Sequence, residues 1–177
     1  MPSDSDLQRL RAGIRDVPDF PKAGILFKDI TPVLADAALF RIAVDGFAEA
    51  TVAAGAEKVV GVDARGFLFG AAVAYKLGLG FVPVRKKGKL PHACESAAYT
   101  LEYGEAVVEM HRDALHAGER VVLIDDLLAT GGTAAAAIRL IEKMGAVLLE
   151  AQFLIELEFL HGRSNLPTDR VRSFLRF

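Results

Sequence analysis

The sequence predicts an α/β fold: a mostly parallel sheet covered by helices on both faces. Short apolar runs and longer runs with helical spacing of apolar residues alternate along the chain. The strands are predicted at 58–62, 80–84, 120–124 and within 146–157, and the helices between them at 66–77 and 133–144. Strands that alternate with helices form parallel sheets with a helical layer on each face.

The remaining elements frame this alternating core. Before it, residues 6–14 and 37–54 have helical spacing, and 17–32, rich in proline and glycine, predicts a structured loop with short extended pieces. The basic, polar segment 85–97 is predicted to be mobile. Beyond it, the turn at 103–105 between apolar runs 99–102 and 106–110 indicates a hairpin. A last strand is predicted at 171–175.

Length and composition exclude several classes of protein. A chain of 177 residues, 52% of them hydrophobic, is expected to form one domain over 1–177 with a substantial core. A net charge of −2 gives no reason to expect nucleic acid or an anionic membrane as partner. No apolar run reaches the roughly 18 residues that span a bilayer. The polar start does not resemble a secretory signal, and the single cysteine, Cys94, has no internal partner, so a cytoplasmic location is expected.

The most informative segment is 121–133, which reads VVLIDDLLATGGT. An apolar strand reaches two acids, and a small turn then leads into an alanine-rich helix. Gly131 and Gly132 allow a tight turn that exposes N–H groups, while Thr130 and Thr133 add hydroxyl donors. A helix N-terminus adds partial positive charge. The segment therefore predicts a phosphate site.

The two acids, Asp125 and Asp126, would repel a phosphate and should bind something else. Carboxylates accept hydrogen bonds from sugar hydroxyls and ligate hard divalent cations. The alternative is that they only cap the following turn, since aspartate favours turns. The P-loop of nucleotide kinases is excluded, because no Gly-x-x-x-x-Gly-Lys-Ser/Thr pattern occurs.

Three motifs are expected at one edge of the sheet. In parallel sheets, ligands bind beyond the carboxyl ends of the strands. Segments 63–66, 85–87 and 125–133 each follow or end a predicted strand. The topology therefore predicts that they meet, independently of any family resemblance.

Segment 121–133 resembles the phosphoribosyl-diphosphate (PRPP) motif of the type I phosphoribosyltransferases. Four further segments, in the family's order, resemble its adenine-specific branch: DFPKAGILFKDITP at 19–32, ARGFLFG at 64–70, RKKGKLP at 85–91 and LEYG at 101–104. The resemblance implies the type I phosphoribosyltransferase fold, with a purine-binding hood over about 1–34 and a flexible lid hairpin over about 85–105.

The resemblance also implies an enzyme of purine salvage. Such enzymes transfer the 5-phosphoribosyl group of PRPP to adenine, giving AMP and pyrophosphate. Mg²⁺ is implied as the cofactor, bound mainly through PRPP near Asp125 and Asp126 without direct protein ligands. A homodimer is implied as well.

The family's functional residues transfer by position. Glu102 and Arg65 are the implied catalytic residues, with Glu102 as acid or base near the purine. The implied adenine contacts are Ile25, Leu26, Phe27, Lys28 and Leu157. The implied PRPP and AMP contacts are Arg65, Lys86, Lys89, Tyr103, Asp125, Asp126, Ala129, Thr130, Gly131, Gly132 and Thr133. Separate roles for Lys86, Lys87 and Lys89 are not resolved, and the side chain of Lys28 is not expected to select adenine.

Simpler interpretations stay open at this stage. Arg65 could be a surface arginine, Phe27 a core residue and Glu102 an exposed hairpin glutamate. Four histidines show no ligand spacing, and roles for His92 and Cys94 are undecided. Two other functions compete: a phosphoribosyltransferase for another base, which the 19–32 and 101–104 segments disfavour, and a PRPP-sensing transcription regulator, which would need a basic DNA-binding module.

Overall fold

The computed structural model describes residues 2–100 and 105–177. The chain divides into two compact units, one ending at Gly46 and the other running from Phe47 to Phe177. The expectation of one domain over 1–177 stays a prediction. Among the described residues, no helix is long and apolar enough to cross a membrane.

The first unit contains two helices, a two-stranded hairpin and the beginning of a third helix. Its elements are α1 (Asp4–Gly13), β1 (Arg15–Pro18), β2 (Leu26–Asp29), α2 (Thr31–Ala35) and the beginning of α3 (Ala37–Ala54). Helix α1 begins two residues earlier than predicted because Ser3 and Asp6 form a capping box. The strands β1 and β2 pair antiparallel, with Pro18 opposite Leu26. Strand β2 lies within 17–32, where short extended pieces were predicted, and β1 begins two residues before that segment.

The second unit is built on a sheet that, in the described part of the chain, has seven strands. They are β3 (Lys58–Val62), β4 (Gly80–Lys86), β5 (Cys94–Thr100), β6 (Glu105–His111), β7 (Arg120–Leu128), β8 (Val147–Glu156) and β9 (Val171–Arg176). Their order is β5-β6-β4-β3-β7-β8-β9. The pairs β3/β4, β3/β7, β7/β8 and β8/β9 are parallel, while β4/β6 and β5/β6 are antiparallel. The predicted mostly parallel sheet is confirmed.

Two helices of this unit, α4 (Arg65–Leu77) and α5 (Gly132–Lys143), cover the sheet. Successive side chains of β3 point to opposite faces of the sheet. Val60 and Val62 join the core that contains the buried alanines of α5. Gly61 faces the other way, where a methyl group would lie 2.5 Å from the ring of Phe81. The small residues of strand and helices thus set how closely the layers approach.

Three strands extend beyond their predicted limits by two residues or more at one end. Strand β7 continues to Leu128, so the acid pair lies within the strand instead of after it. Leu128 is buried, which explains why the strand does not stop at the acids. Strand β4 continues to Lys86, and β5 begins at Cys94 because it pairs with His111 of β6. Part of the segment predicted as mobile is therefore regular strand.

Candidate active site

A cavity of about 440 Å³ opens at the carboxyl ends of β3 and β7. It is lined by residues 62–65 and 125–134. Eight of the predicted site residues meet here: Arg65, Asp125, Asp126, Ala129, Thr130, Gly131, Gly132 and Thr133. Of the three segments that the topology predicted to meet, 63–66 and 125–133 contribute to the cavity, whereas 85–87 does not line it.

One wall of the cavity is the turn that starts α5. Gly131 has φ +84°, a left-handed conformation that favours glycine, and α5 begins at the next residue. Within the described chain, the first turn of α5 contains no acidic residue and no side chain caps it. Its first N–H groups and partial positive charge are therefore suited to an anion.

This turn is supported from behind by a segment that the sequence did not single out. A Cβ at Gly131 would collide with the carbonyl oxygen of Gly162, and one at Gly162 would collide with that of Ala129. Asn165 donates its side-chain N–H to the carbonyl oxygen of Thr130 at 2.9 Å. The only signal in the sequence was a glycine and an asparagine shortly after the strand predicted within 146–157.

The opposite wall carries an ion pair. Arg65, the first residue of α4, places Nε 2.7 Å from Oδ2 of Asp126, whose side chain is 6% exposed. The preceding Asp63–Ala64 peptide bond is cis. Burial raises the pKa of Asp126, and the guanidinium of Arg65 opposes that rise. The pair therefore compensates the buried charge only in part.

Asp125 completes the acidic wall. Its Oδ1 accepts the backbone N–H of Asp126 at 2.8 Å. Burial among surrounding protein atoms raises the pKa of Asp125 well above its ordinary value, and the charge of Asp126 raises it further. A Cβ at Gly66 would lie 2.8 Å from this Oδ1, so glycine is needed where α4 meets β7. Two close acids with raised pKa values favour a ligand that brings hydrogen-bond donors or cations.

The basic segment forms a turn at the end of β4. Lys86 and Lys89 are exposed there, and the N–H of Lys89 donates to the carbonyl oxygen of Lys86 at 3.2 Å. Neither lysine lines the cavity. Arg85, which sequence reasoning gave no individual role, links this turn to the cavity edge: it donates to Lys89 O and to Asp63 Oδ2, both at 3.1 Å.

The predicted adenine residues lie on two separately described parts of the chain. In the first unit, Ile25 precedes β2 and Leu26 is 48% exposed. The ring of Phe27 meets Phe20 edge-on at 5.2 Å, and Lys28 pairs with Asp16 at 2.5 Å. In the second unit, Leu157 is buried directly after β8. That the side chain of Lys28 does not select the base stays a prediction.

Glu102 and Tyr103 lie outside the described residues. The strands predicted on either side of them are present as β5 and β6. At the end of the β5/β6 pair where Cys94 lies opposite His111, the rings of His92 and His111 are 6.0 Å apart. Burial raises the pKa of the Cys94 thiol. Over 2–100 and 105–177, no group of three histidine, cysteine or acidic side chains is arranged to hold a metal ion.

Comparisons with known proteins define the class first. Residues 34–158 match the family model described as "Phosphoribosyl transferase domain". Fold, cavity and this match together identify a phosphoribosyltransferase. The chain is 54% identical over 171 residues to the adenine phosphoribosyltransferase of Geotalea uraniireducens, covering 97% of this chain and all of the relative.

Solved structures agree with this relationship. The crystal structure of adenine phosphoribosyltransferase from Rhodothermus marinus has a TM-score of 0.93 and 48% identity, covering 99% of this chain and 100% of that one. The enzyme from Saccharomyces cerevisiae, complexed with an imino-altritol bisphosphate and adenine, has a TM-score of 0.94 and 44% identity, covering 98% and 100%. The chain belongs to the adenine phosphoribosyltransferase family.

Proposed function

We propose that the protein transfers the 5-phosphoribosyl group of PRPP to adenine, giving AMP and pyrophosphate in purine salvage. The observation that carries this proposal is a cavity that joins a turn suited to an anion with a buried acid pair and an arginine. PRPP consists of a 5-phosphate, a ribose with hydroxyls and a pyrophosphate. The turn suits the phosphate, the acid pair suits the hydroxyls and the arginine suits the pyrophosphate.

The 5-phosphate is assigned to the turn 129–133. Its N–H groups and threonine hydroxyls donate to phosphate oxygens, and the start of α5 favours negative charge. The contact with Gly162 and the bond from Asn165 hold the turn in one shape before the ligand arrives. Preorganised donors of this kind reduce the cost of ordering a site.

The ribose hydroxyls are assigned to Asp125 and Asp126. Both pKa values are raised, so each carboxylate gains from a donated hydrogen bond. Arg65 is assigned to the pyrophosphate, because its guanidinium lies beside the acid pair and forks onto phosphate oxygens well. When the bond from C1 to the pyrophosphate oxygen breaks, negative charge grows on the leaving group, and a fixed cation stabilises it.

The base-binding residues are proposed from the family relationship. Ile25, Leu26, Phe27 and Lys28 are assigned to adenine, and Leu157 is assigned to it separately. The exposed edge of the hairpin at Leu26 and the partly buried ring of Phe27 supply apolar surface for a flat base. The relative from Saccharomyces cerevisiae was solved with adenine, which supports this class of acceptor.

Lys86 and Lys89 are proposed as further pyrophosphate contacts on the basic turn. Glu102 is proposed as the acid or base at the purine, with Tyr103 beside it in the lid. General acid–base catalysis contributes about 10²–10⁴-fold to a rate. The lid would also exclude water, which limits hydrolysis of PRPP.

Mg²⁺, a homodimer and a cytoplasmic location complete the proposal. The oxygen donors of Asp125 and Asp126 fit a hard cation that keeps its waters and is carried by substrate phosphates. Bound there, Mg²⁺ would neutralise charge on the pyrophosphate leaving group. The homodimer follows from the family relationship, and the cytoplasm from the single cysteine.

The proposal is tested with purified protein, Mg²⁺ and PRPP, supplied separately with adenine, hypoxanthine and guanine. AMP is expected from adenine, with little product from the other bases. A preference for hypoxanthine or guanine would contradict the adenine assignment.

The role of Glu102 is tested with Glu102→Ala and Glu102→Gln. Both substitutions should lower kcat about hundredfold or more, while KM for PRPP stays close to the parent value.

A further inference from the structure

Glu109 is a buried carboxylate that the proposed reaction does not use. It lies on β6, between β5 and β4, and is 8% exposed. In the antiparallel pairing it stands opposite Arg85 of β4 and Ser96 of β5. Burying a carboxylate is unfavourable unless hydrogen bonds compensate it. Its partners therefore indicate its role.

Those partners include the backbone of the basic turn. The N–H of Gly88 donates to Oε2 of Glu109 at 2.8 Å, and the hydroxyl of Ser96 donates to Oε1 at 3.2 Å. Gly88 has φ +79°, so the turn places a left-handed residue at the point where the carboxylate holds it. The N–H of Lys87 also donates to the carbonyl oxygen of Val107 at 3.0 Å.

The turn is thus fixed at several points along its backbone while its lysine side chains remain exposed. Arg85 holds the far end through the carbonyl oxygen of Lys89 and joins the turn to Asp63. A backbone held in this way limits the positions that the ammonium groups can reach.

We propose that Glu109 is a positioning residue for PRPP binding: it sets the shape of turn 86–89 through the N–H of Gly88. Glu109 does not touch the substrate; it acts through the lysines of the turn. The inference rests on the proposed assignment of Lys86 and Lys89 to pyrophosphate. The hydrogen bond predicts a defect in PRPP binding and not in adenine binding.

The test compares Glu109→Ala, Glu109→Gln and the matched control Ser96→Ala. Glu109→Ala is expected to raise KM for PRPP about tenfold, the effect of one lost charge-assisted hydrogen bond, with KM for adenine unchanged. Glu109→Gln keeps an oxygen that accepts the Gly88 N–H and should restore most of the affinity. Ser96→Ala leaves that bond in place and should behave like the parent.

Hydrogen–deuterium exchange of the amides of 86–90 gives a readout that does not need activity. Faster exchange there in Glu109→Ala, with slow exchange kept in Glu109→Gln, supports the proposal. Equal kinetic loss in both variants would overturn it, because charge and not the hydrogen bond would then matter. An unchanged KM for PRPP in Glu109→Ala would overturn it as well.

A second variant covers the case in which Glu109→Ala does not fold. Gly88→Ala strains the same turn at its left-handed residue, has open space around the added methyl group and leaves Glu109 intact. It should raise KM for PRPP too, and a normal KM would count against the proposal. If the parent protein makes no AMP, the proposed function fails, while the exchange comparison still decides whether Glu109 holds the turn.

Discussion

Two buried carboxylates near the carboxyl ends of the strands, Glu156 and Asp126, each pair with an arginine, but their pKa values shift in opposite directions. Glu156 is 5% exposed and Asp126 is 4% exposed, and each faces an arginine. The pKa of Glu156 is lowered and that of Asp126 is raised. The exposed fractions are nearly equal, but protein atoms surround Asp126 more completely, and burial is the largest influence on its pKa, whereas the hydrogen bond from Arg163 is the largest influence on the pKa of Glu156.

The number and geometry of the hydrogen bonds also differ between the two carboxylates. Arg163 forks onto Glu156, with Nη2 at 2.6 Å and Nε at 3.0 Å, and the hydroxyl of Ser173 adds a third bond at 2.7 Å. These bonds, led by that of Arg163, outweigh the cost of burial. Asp126 has the guanidinium of Arg65 at 2.7 Å and a second acid, Asp125, next to it.

This difference distinguishes a carboxylate that stabilises the fold from one that is available to a ligand. A carboxylate whose acceptor sites are filled by its own chain has little to gain from a ligand. One that is buried with incomplete compensation gains from any donor that arrives. By this criterion we predict that Glu156 stabilises the fold and that Asp126 binds the substrate.

The largest expected effect comes from breaking the satisfied pair. Arg163→Ala leaves Glu156 buried without its main partner and should lower the free energy of unfolding by about 3 kcal/mol. That is the low end for a buried pair, because the side chain of Arg163 is 33% exposed. Urea unfolding at pH 7 measures the loss, with Arg163→Lys as an intermediate control.

The pH dependence sharpens this prediction. Since the folded pKa of Glu156 is lowered, its stabilisation is present above the unfolded pKa and is lost as pH falls through the folded value. The difference in free energy of unfolding between Arg163→Ala and the parent should therefore become smaller at acid pH. If this difference in free energy of unfolding stayed constant down to acid pH, the stabilising role assigned to the Glu156–Arg163 pair would be contradicted.

Removing the other arginine should affect rate more than stability. Arg65→Ala is expected to lower kcat/KM for PRPP about hundredfold, as for other losses of a fixed charge-stabilising donor. The fold should lose less than in Arg163→Ala, because Asp126 already has a raised pKa and takes up a proton more easily. Steady-state kinetics and thermal unfolding of the same preparations check both parts, and Arg65→Lys tests whether charge alone suffices.

The smallest effect is expected at Asp125. Because the folded pKa of Asp125 is raised, its ionised form lowers the free energy of unfolding. This cost is absent below the unfolded pKa and develops as pH rises through the folded pKa. Asp125→Asn removes that cost and should stabilise the protein by about 1 kcal/mol at pH 8, with a smaller gain in acid. Activity should fall in the same variant. Equal stability of parent and variant from acid to pH 8 would show that Asp125 is not destabilised by burial.

Much of this site could be predicted from local sequence. The alternation of strands and helices predicted the sheet, and the sheet rule brought 63–66 and 125–133 to one edge. Gly131 was predicted from its turn, and its positive φ follows. These features depend on neighbouring residues and on a general property of parallel sheets.

Other parts depend on contacts that no local pattern reports. Asn165 lies 35 residues from Thr130, which it supports, and Glu109 lies 21 residues from Gly88. The end of β7 was placed too early because two adjacent acids look like the end of a strand, whereas the burial of Leu128 carries the strand past them. Pairing partners and long-range burial are properties of the folded chain.

The backbone contact between Gly131 and Gly162 has a consequence for exchanging segments among relatives. Because neither position has room for a Cβ, the turn and the segment behind it fit as one block of main chain. A chimera whose crossover falls between 133 and 161 would join a turn from one parent to a support from another. Crossovers that keep 129–133 and 161–165 from the same parent should yield active recombinants more often.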